Sequence, residues 1–339
     1  MSTLSAKELL TYLQERGLIA DAARAEIAPL DGGVSSEIFV VKHEDGAFVV
    51  KQALEKLKVR DDWRCDPVRN LYEQDYMAEA EAMVPGSVPR LLQGDRVLGL
   101  FAMEYLDGRW ATWKSRLMEG ALSAASAARV GELLGRLHAA GWGREDLARR
   151  FDNTPLFHEL RVAPYLLTTG DRHPELARYF QAEAQRLEAT RLTLVHGDYS
   201  PKNLMTDGTA VKILDAEVAW YGDPAFDVAF LLNHLLLKAV KFPEWATGLA
   251  GLRVSFLNAY RGALGGHWST ELDRCAARLA LMLMMARISG KSPVEYIARE
   301  GDEARAILRF TLRRVGADLD LAALEEQFQE AFSYENQSR

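Results

Sequence analysis

The chain has 339 residues, 48% of them hydrophobic and 26% charged, with a formal net charge of −7, the balance of a globular protein long enough for two lobes with separate cores. Mild acidity without Lys/Arg blocks argues against nucleic-acid binding, and no apolar run is of membrane-spanning kind: 225–237 is broken by Asp227, Asn233 and His234, and 276–288 carries Arg278 and Arg287. Two distant cysteines, Cys65 and Cys275, and a start without a signal-peptide core point to a reduced cytoplasmic setting.

Residues 5–17 read as an amphipathic helix with Leu9, Leu10 and Leu13 on one side and Gly17 at its end. From Ile27 the texture turns to β-type runs, with 38–41 and 48–50 flanking the turn signal Asp45-Gly46. A charged stretch from Glu55 to Arg69 precedes a helical pattern from Leu71 to Met83, and 88–92 and 98–103 predict two further strands. Beyond Asp107-Gly108 the chain is largely helical, with a stripe of Leu133, Leu134 and Leu137 closed by Gly141. A short strand, 192–195, and a hairpin turned by Asp207-Gly208 interrupt the helices. Asp223-Pro224 is a helix start, with an N-cap side chain followed by Pro at N1. Met282, Met284 and Met285 read as core packing, and Arg287 and Lys291 as a solvated face, with contact to an anionic substrate as the alternative.

The chemistry concentrates in Val195-His196-Gly197-Asp198-Tyr199-Ser200-Pro201-Lys202-Asn203, followed after a turn and a strand by Ile213-Leu214-Asp215-Ala216-Glu217. Phosphoryl transfer asks little covalent help of a protein; it needs an aligned acceptor oxygen, neutralised phosphate charge and a clamp on the triphosphate. Asp198 is suited to orient an acceptor hydroxyl and take its proton. Asn203 and Asp215 are hard oxygen ligands for Mg²⁺, and Glu217 adds a second metal contact directly or through water. Any one of these alone reads as a turn or strand-end residue; their order and spacing set them apart. The hairpin is expected to return Asp215 to the end of the ribbon that holds Asp198 and Asn203.

This segment, together with Tyr221-Gly222-Asp223-Pro224-Ala225-Phe226-Asp227-Val228-Ala229, resembles the aminoglycoside phosphotransferase and choline kinase superfamily. The resemblance covers roughly residues 28–300. It implies an α+β, bilobal, protein-kinase-like fold: an N-terminal lobe, 1–106, with a small antiparallel sheet and one main helix, and a mainly helical C-terminal lobe, 107–339. Residues 1–26, a helical extension of the first lobe, and 300–339 are candidates for capping the lobes or for a homodimer contact. The resemblance further implies ATP and Mg²⁺ as cofactors and a small-molecule hydroxyl acceptor, with no nucleic-acid or membrane partner.

Residue by residue, Lys51 looks like the strand lysine that meets the α/β-phosphates. Glu73 is its helix partner, with Glu79 and Glu81 as competitors because the helix register is open. Gly33, Ser35 and Ser36 fall in a loop whose backbone N–H groups can cradle phosphate, although an ordinary hairpin turn would look much the same. Glu104 and Leu106 occupy the adenine-facing segment between the lobes. His196 braces the loop, and Asp227 accepts backbone N–H bonds from it. Val50-Lys51-Gln52-Ala53-Leu54 and Gly290-Lys291-Ser292-Pro293-Val294-Glu295-Tyr296 look like the methylthioribose kinase branch, from which the 31–36 loop and Tyr199-Ser200-Pro201-Lys202 depart. The expected activity is phosphorylation of a sugar-like or other polyol hydroxyl. An aminoglycoside or choline/amino-alcohol kinase is the alternative within the superfamily, and a non-catalytic nucleotide-binding module the alternative outside it.

Overall fold

The computed structural model describes residues 4–30, 36–54 and 66–332. The chain divides into two compact units, residues 1–110 with 214–217, and residues 111–213 with 218–339. The fold class is mixed α+β, as expected, with an antiparallel sheet near the N-terminus and a mainly helical remainder. Among the described residues no helix is long and apolar enough to cross a membrane.

The first unit opens with α1 (Ala6–Glu15), started by a capping box in which Ser5 and Glu8 satisfy each other's backbone N–H groups. Its buried residues Leu9 and Leu13 enter the core of the sheet, beside Val41, Phe48, Val50, Leu100 and Ala102. The apolar face of the helical extension is therefore used inside this unit. The sheet comprises β1 (Glu26–Pro29), β2 (Ser36–His43), β3 (Gly46–Ala53), β4 (Leu91–Asp95) and β5 (Leu100–Glu104), in the order β1-β2-β3-β5-β4, each pair antiparallel. The β2–β3 register sets Val41 against Phe48 and Phe39 against Val50. β4 begins at Leu91, three residues later than the apolar pattern suggested; Pro89 has no N–H to give a ladder. Between β3 and β4 runs α2 (Arg69–Met83), which buries Arg69, Asn70, Glu73 and Gln74, an unusual set for a helix face.

The second unit begins with β6 (Ala111–Thr112), α3 (Trp113–Met118) and α4 (Ala124–Gly141), the two helices capped by the hydroxyls of Thr112 and Ser123. Short helices α5 (Glu145–Arg150) and α6 (Thr154–Phe157) lead into a π-helix, His158–Leu167, and on to α7 (Thr168–Arg172) and α8 (Ala177–Ala189). β7 (Thr193–Val195) pairs with β10 (Trp220–Gly222), and between them β8 (Leu204–Thr206) and β9 (Val211–Ile213) form the predicted hairpin, Leu204 facing Ile213. Asp207 closes its turn by accepting the N–H groups of Thr209 and Ala210. Then come α9 (Ala225–Lys241), α10 (Ala246–Leu264), α11 (Thr270–Ser289), α12 (Asp302–Leu312) and α13 (Leu321–Phe332).

Residues 225–240 are all buried, and so are Met282, Met284 and Met285 of α11, which makes both apolar runs core helices. α4 and α10 approach so closely that a Cβ on Gly131 would lie 2.1 Å from the Phe256 carbonyl oxygen. Gly131→Ala should therefore force the two helices apart and destabilise the unit by about 1–3 kcal/mol. Chemical denaturation measures this, and an unchanged midpoint would show that the helices are not in close contact there.

Candidate functional site

In the second unit, β7 delivers the chain into a loop pinned from below by a buried carboxylate. The backbone N–H groups of His196 and Gly197 donate to Asp227 Oδ2 and Oδ1 at 2.8 and 2.9 Å. Asp227 lies 0% exposed in the first turns of α9, in the scaffold role that the resemblance implies. His138 Nε2 lies 3.3 Å from the same carboxylate, and its Nδ1 lies 2.9 Å from the Tyr260 hydroxyl, so the ring bridges Asp227 and Tyr260. Burial first, then the charge of Asp227, push the Tyr260 hydroxyl well above its usual pKa. Gly197 has φ +78°, and a Cβ there would stand 2.6 Å from the Val218 carbonyl oxygen; both the turn and the close approach require glycine.

His196 braces the loop as expected, its Nδ1 accepting the Asp198 N–H at 3.1 Å. Asn203 closes the loop from the far side, Nδ2 donating to the Asp198 carbonyl at 2.9 Å, and the Tyr199 hydroxyl ties it to α4 through the Val130 carbonyl. The Asp198 carboxylate is held by two cations on one oxygen: Lys202 Nζ lies 3.0 Å and Arg161 Nη2 3.2 Å from Oδ2. Arg161 also donates to the Gly197 and Leu160 carbonyls. It comes from the π-helix, whose wider turn sets side chains off the 3.6-residue rhythm; π-segments are frequent at functional sites.

The first unit holds a second cluster. Lys51, on β3, is buried, with its Nζ 2.8 Å from Glu73 Oε1 and 2.5 Å from Asp215 Oδ1. Burial works against the ammonium, yet Asp215 and Glu73 outweigh it and hold its pKa above that of an ordinary lysine. Burial lifts the Glu73 carboxyl to about 7 against the pull of Lys51. Of the other helix glutamates, Glu81 accepts the Gly86 N–H. Asp215 has φ 64°, the only positive value at a non-glycine among the described residues, a strained state of about 1 kcal/mol or more that functional sites retain. Glu217 Oε2 receives Arg69 Nε at 3.2 Å, and the buried Arg69 also donates to the carbonyls of Asp66 and Leu54.

The remaining expected residues are placed less tellingly. Ser36 opens β2 opposite Ala53 and is buried; Gly33 and Ser35 lie outside the described residues, as does Cys65. The Glu104 N–H donates to the Arg90 carbonyl, and its carboxylate accepts the Arg90 N–H; Leu106 follows β5 and is half-buried. Sequence reasoning gave no role to Arg161, Lys202 or Arg69. Arg69 at least stood where a charged stretch meets a helix.

The donor chemistry fits Mg²⁺. Asn203 donates through Nδ2, which turns its amide oxygen away from the Asp198 carbonyl, and Asp215 presents a carboxylate that is 30% exposed. Both are hard oxygen donors, and this ion needs few protein ligands beside phosphate and water. Among the described residues no group of three or more His, Cys, Asp and Glu side chains forms a metal cage.

Methylthioribose kinase of Geobacillus thermodenitrificans (strain NG80-2) is 25% identical over 244 residues, covering 63% of this chain and 61% of the relative. Methylthioribose kinase 2 of Oryza sativa subsp. japonica is 22% identical over 228 residues, covering 59% and 53%. The chain thus spans between half and two thirds of the length of these relatives. Among solved structures, the amicoumacin kinase hAmiN in complex with AMP-PNP, Ca²⁺ and Ami matches over 95% of this chain and 96% of its own with a TM-score of 0.56 at 16% identity, a likeness of fold. Residues 26–271, which hold both clusters, match the model of the phosphotransferase enzyme family, and the chain belongs to that family.

Proposed function

We propose that the chain transfers the γ-phosphoryl group of ATP to a hydroxyl of a small sugar-like or polyol molecule. The observation that carries this reading is Lys51, buried and pinned between Glu73 and Asp215, because an extended, charged lysine of this kind is what a triphosphate clamp requires. Family membership supports the reaction class, and the names of the sequence relatives favour a sugar-like acceptor.

In this reading Lys51 neutralises charge on the α/β-phosphates, and Glu73 keeps it extended. Asn203 and Asp215 would hold Mg²⁺, and Glu217, oriented by Arg69, would add a further contact directly or through water. When bound, Mg²⁺ would supply charge neutralisation for the triphosphate. Asp198 orients the acceptor hydroxyl and takes its proton; Arg161 and Lys202 keep its carboxylate in place while Asp227 holds the loop rigid. Glu104 and Leu106 face adenine through their backbone.

The test is ADP release with mass-spectrometric detection of the phosphorylated product across sugars, polyols, amino alcohols and aminoglycosides. Nucleotide binding with no transfer to any of them would favour a non-catalytic module. Titration calorimetry with Asp215→Ala should show Mg²⁺·ATP affinity falling about tenfold or more, with a smaller loss when Mg²⁺ is left out. Equal affinities of variant and parent would remove Asp215 as a ligand.

A further inference from the structure

Lys238, buried, and Arg287, half-buried, both in the second unit, have no carboxylate within ion-pair distance among the described residues. Lys238, near the end of α9, is 1% exposed, and its ammonium lies 4.9 Å over the ring of Tyr296. Arg287, on α11, donates to the Ser292 carbonyl at 2.6 Å, to Ser292 Oγ at 2.9 Å and to the Tyr165 hydroxyl at 3.3 Å, all uncharged groups. Its Nε and the Tyr296 hydroxyl are buried with no hydrogen-bond partner. A buried cation without a counter-charge is costly to fold around, by several kcal/mol. For Lys238 the Tyr296 ring face offsets only about 1 kcal/mol of that cost, and the charge of Glu295, which is paired with Lys114, opposes it only in part.

The same region is continuous with the Asp198 loop. Phe230, His234 and Lys238 recur every four residues and so share one face of α9. Arg161, paired to Asp198, lies 5.9 Å over the Phe230 ring; Phe230 packs 5.6 Å from both Tyr165 and His234. From Phe230 to Lys238 is two turns, about 12 Å of axis, and the lysine side chain leans back toward the N-terminus. Exposure grades along it: Glu295 and Lys202 are 62% and 53% exposed, while His234 and Lys238 are buried. Lys114, which pairs with Glu295, adds a further cation at the open side.

The electrostatics agree. Burial, then Arg287, Lys238, Lys202 and Lys114, hold His234 well below its usual pKa. For Tyr165, burial pushes the hydroxyl up, but Arg287 and Arg161 prevail and leave it below the ordinary tyrosine value. This is a positive field facing the acceptor-orienting carboxylate, the reverse of what a polycation or a quaternary amine requires.

We propose that the acceptor alcohol also carries an anionic group, a carboxylate or a phosphate ester, which Lys238 and Arg287 receive while Asp198 takes the hydroxyl. The proposal rests on the kinase reading for its second half only: the anion site is defined by the second unit alone.

Matched probes test it. ADP release is measured with ribitol, D-ribonate and ribitol phosphate, with choline and kanamycin as cationic controls, at constant ionic strength. One or both anionic probes should be used at a KM at least tenfold below that of ribitol, and the two together tell carboxylate from phosphate. Lys238→Met and Arg287→Gln should raise the KM of the anionic probe by about 10–100-fold and leave that of ribitol in place. Preference for ribitol, choline or kanamycin, or an equal change for charged and neutral probes in both variants, overturns the proposal. If no compound is phosphorylated, calorimetry with inorganic phosphate in the presence of AMP-PNP and Mg²⁺ decides: binding lost in both variants keeps the anion site and removes the kinase reading, and binding unchanged in both removes the site.

Discussion

Asp198→Asn lowers kcat by about 10²–10⁴ while the fold and the KM for ATP stay close to those of the parent. The carboxamide fills the same space and still accepts from Arg161 or Lys202, so the change removes only the charge that the proposed role of Asp198 requires. The loop survives because its bracing runs through the backbone: the residue-198 N–H to His196, its carbonyl to Asn203, and residues 196 and 197 to Asp227. Lys51 and Glu73 belong to the other unit and are untouched. Asp198→Ala should lose the same turnover and additionally melt lower, because Arg161, 12% exposed, then keeps its charge with its carboxylate partner removed. Initial rates with the best acceptor, alongside thermal melts, separate the two effects. Near-parental turnover of the Asn variant would take Asp198 out of the chemistry.

That asymmetry also explains what could be read from the chain before its structure. The Asp198 loop and the helix start below it were legible because their residues do local jobs that only one or two side chains perform: Gly197 for a positive φ, Asp227 for two orphan N–H groups, Pro224 at a helix start. One detail differs there, since α9 begins at Ala225 and Asp223 accepts the Ala225 N–H through Oδ1 from two residues away. The β8–β9 hairpin was legible from Asp207-Gly208 for the same reason. Lys51 could be found by its place on a strand, and Glu73 named as its helix partner, a pairing the structure has; Glu79 and Glu81 stayed as competitors because which glutamate of one helix faces the sheet depends on packing.

Arg161 left no trace at all. It precedes Gly197, whose carbonyl it binds, by 36 residues, and it projects from a π-turn that breaks helical periodicity. Arg287 misled for a related reason. In an apolar run a charged residue reads as the edge that meets water, yet this one is half-buried and bonded to Tyr165 and Ser292. Lys238 lies just past a stretch that pattern alone marks as buried core. Polar groups placed inside helices for a ligand look, in one dimension, like ordinary interruptions of an apolar face.

Lys238 gives the clearest thermodynamic consequence. Burial, reinforced by Lys114 and Arg287 and opposed by Glu295, pulls its pKa down from 10.5 to about 7. A lowered lysine pKa destabilises the fold: below about pH 7 the ammonium is charged in both states and the full cost of burying it is present. Between about 7 and 10.5 the unfolded chain holds a proton that the folded chain has released, so stability climbs with pH across that window. Above it the cost is gone. The full cost corresponds to roughly 4–5 kcal/mol, and Lys238→Met, which keeps the length and removes the charge, should recover most of it, less about 1 kcal/mol for the lost contact with the Tyr296 ring. At about pH 6.5 the variant should melt about 5–10 °C above the parent, with the gap narrowing steadily toward about pH 10. A gap independent of pH would mean that Lys238 is not buried as a cation, and a lower melting temperature for the variant on the acid side would mean that its ammonium has a counter-charge. The same substitution is expected to weaken binding of an anionic acceptor, so stability and affinity should move in opposite directions, as they do when a fold carries a strained group for the sake of its ligand.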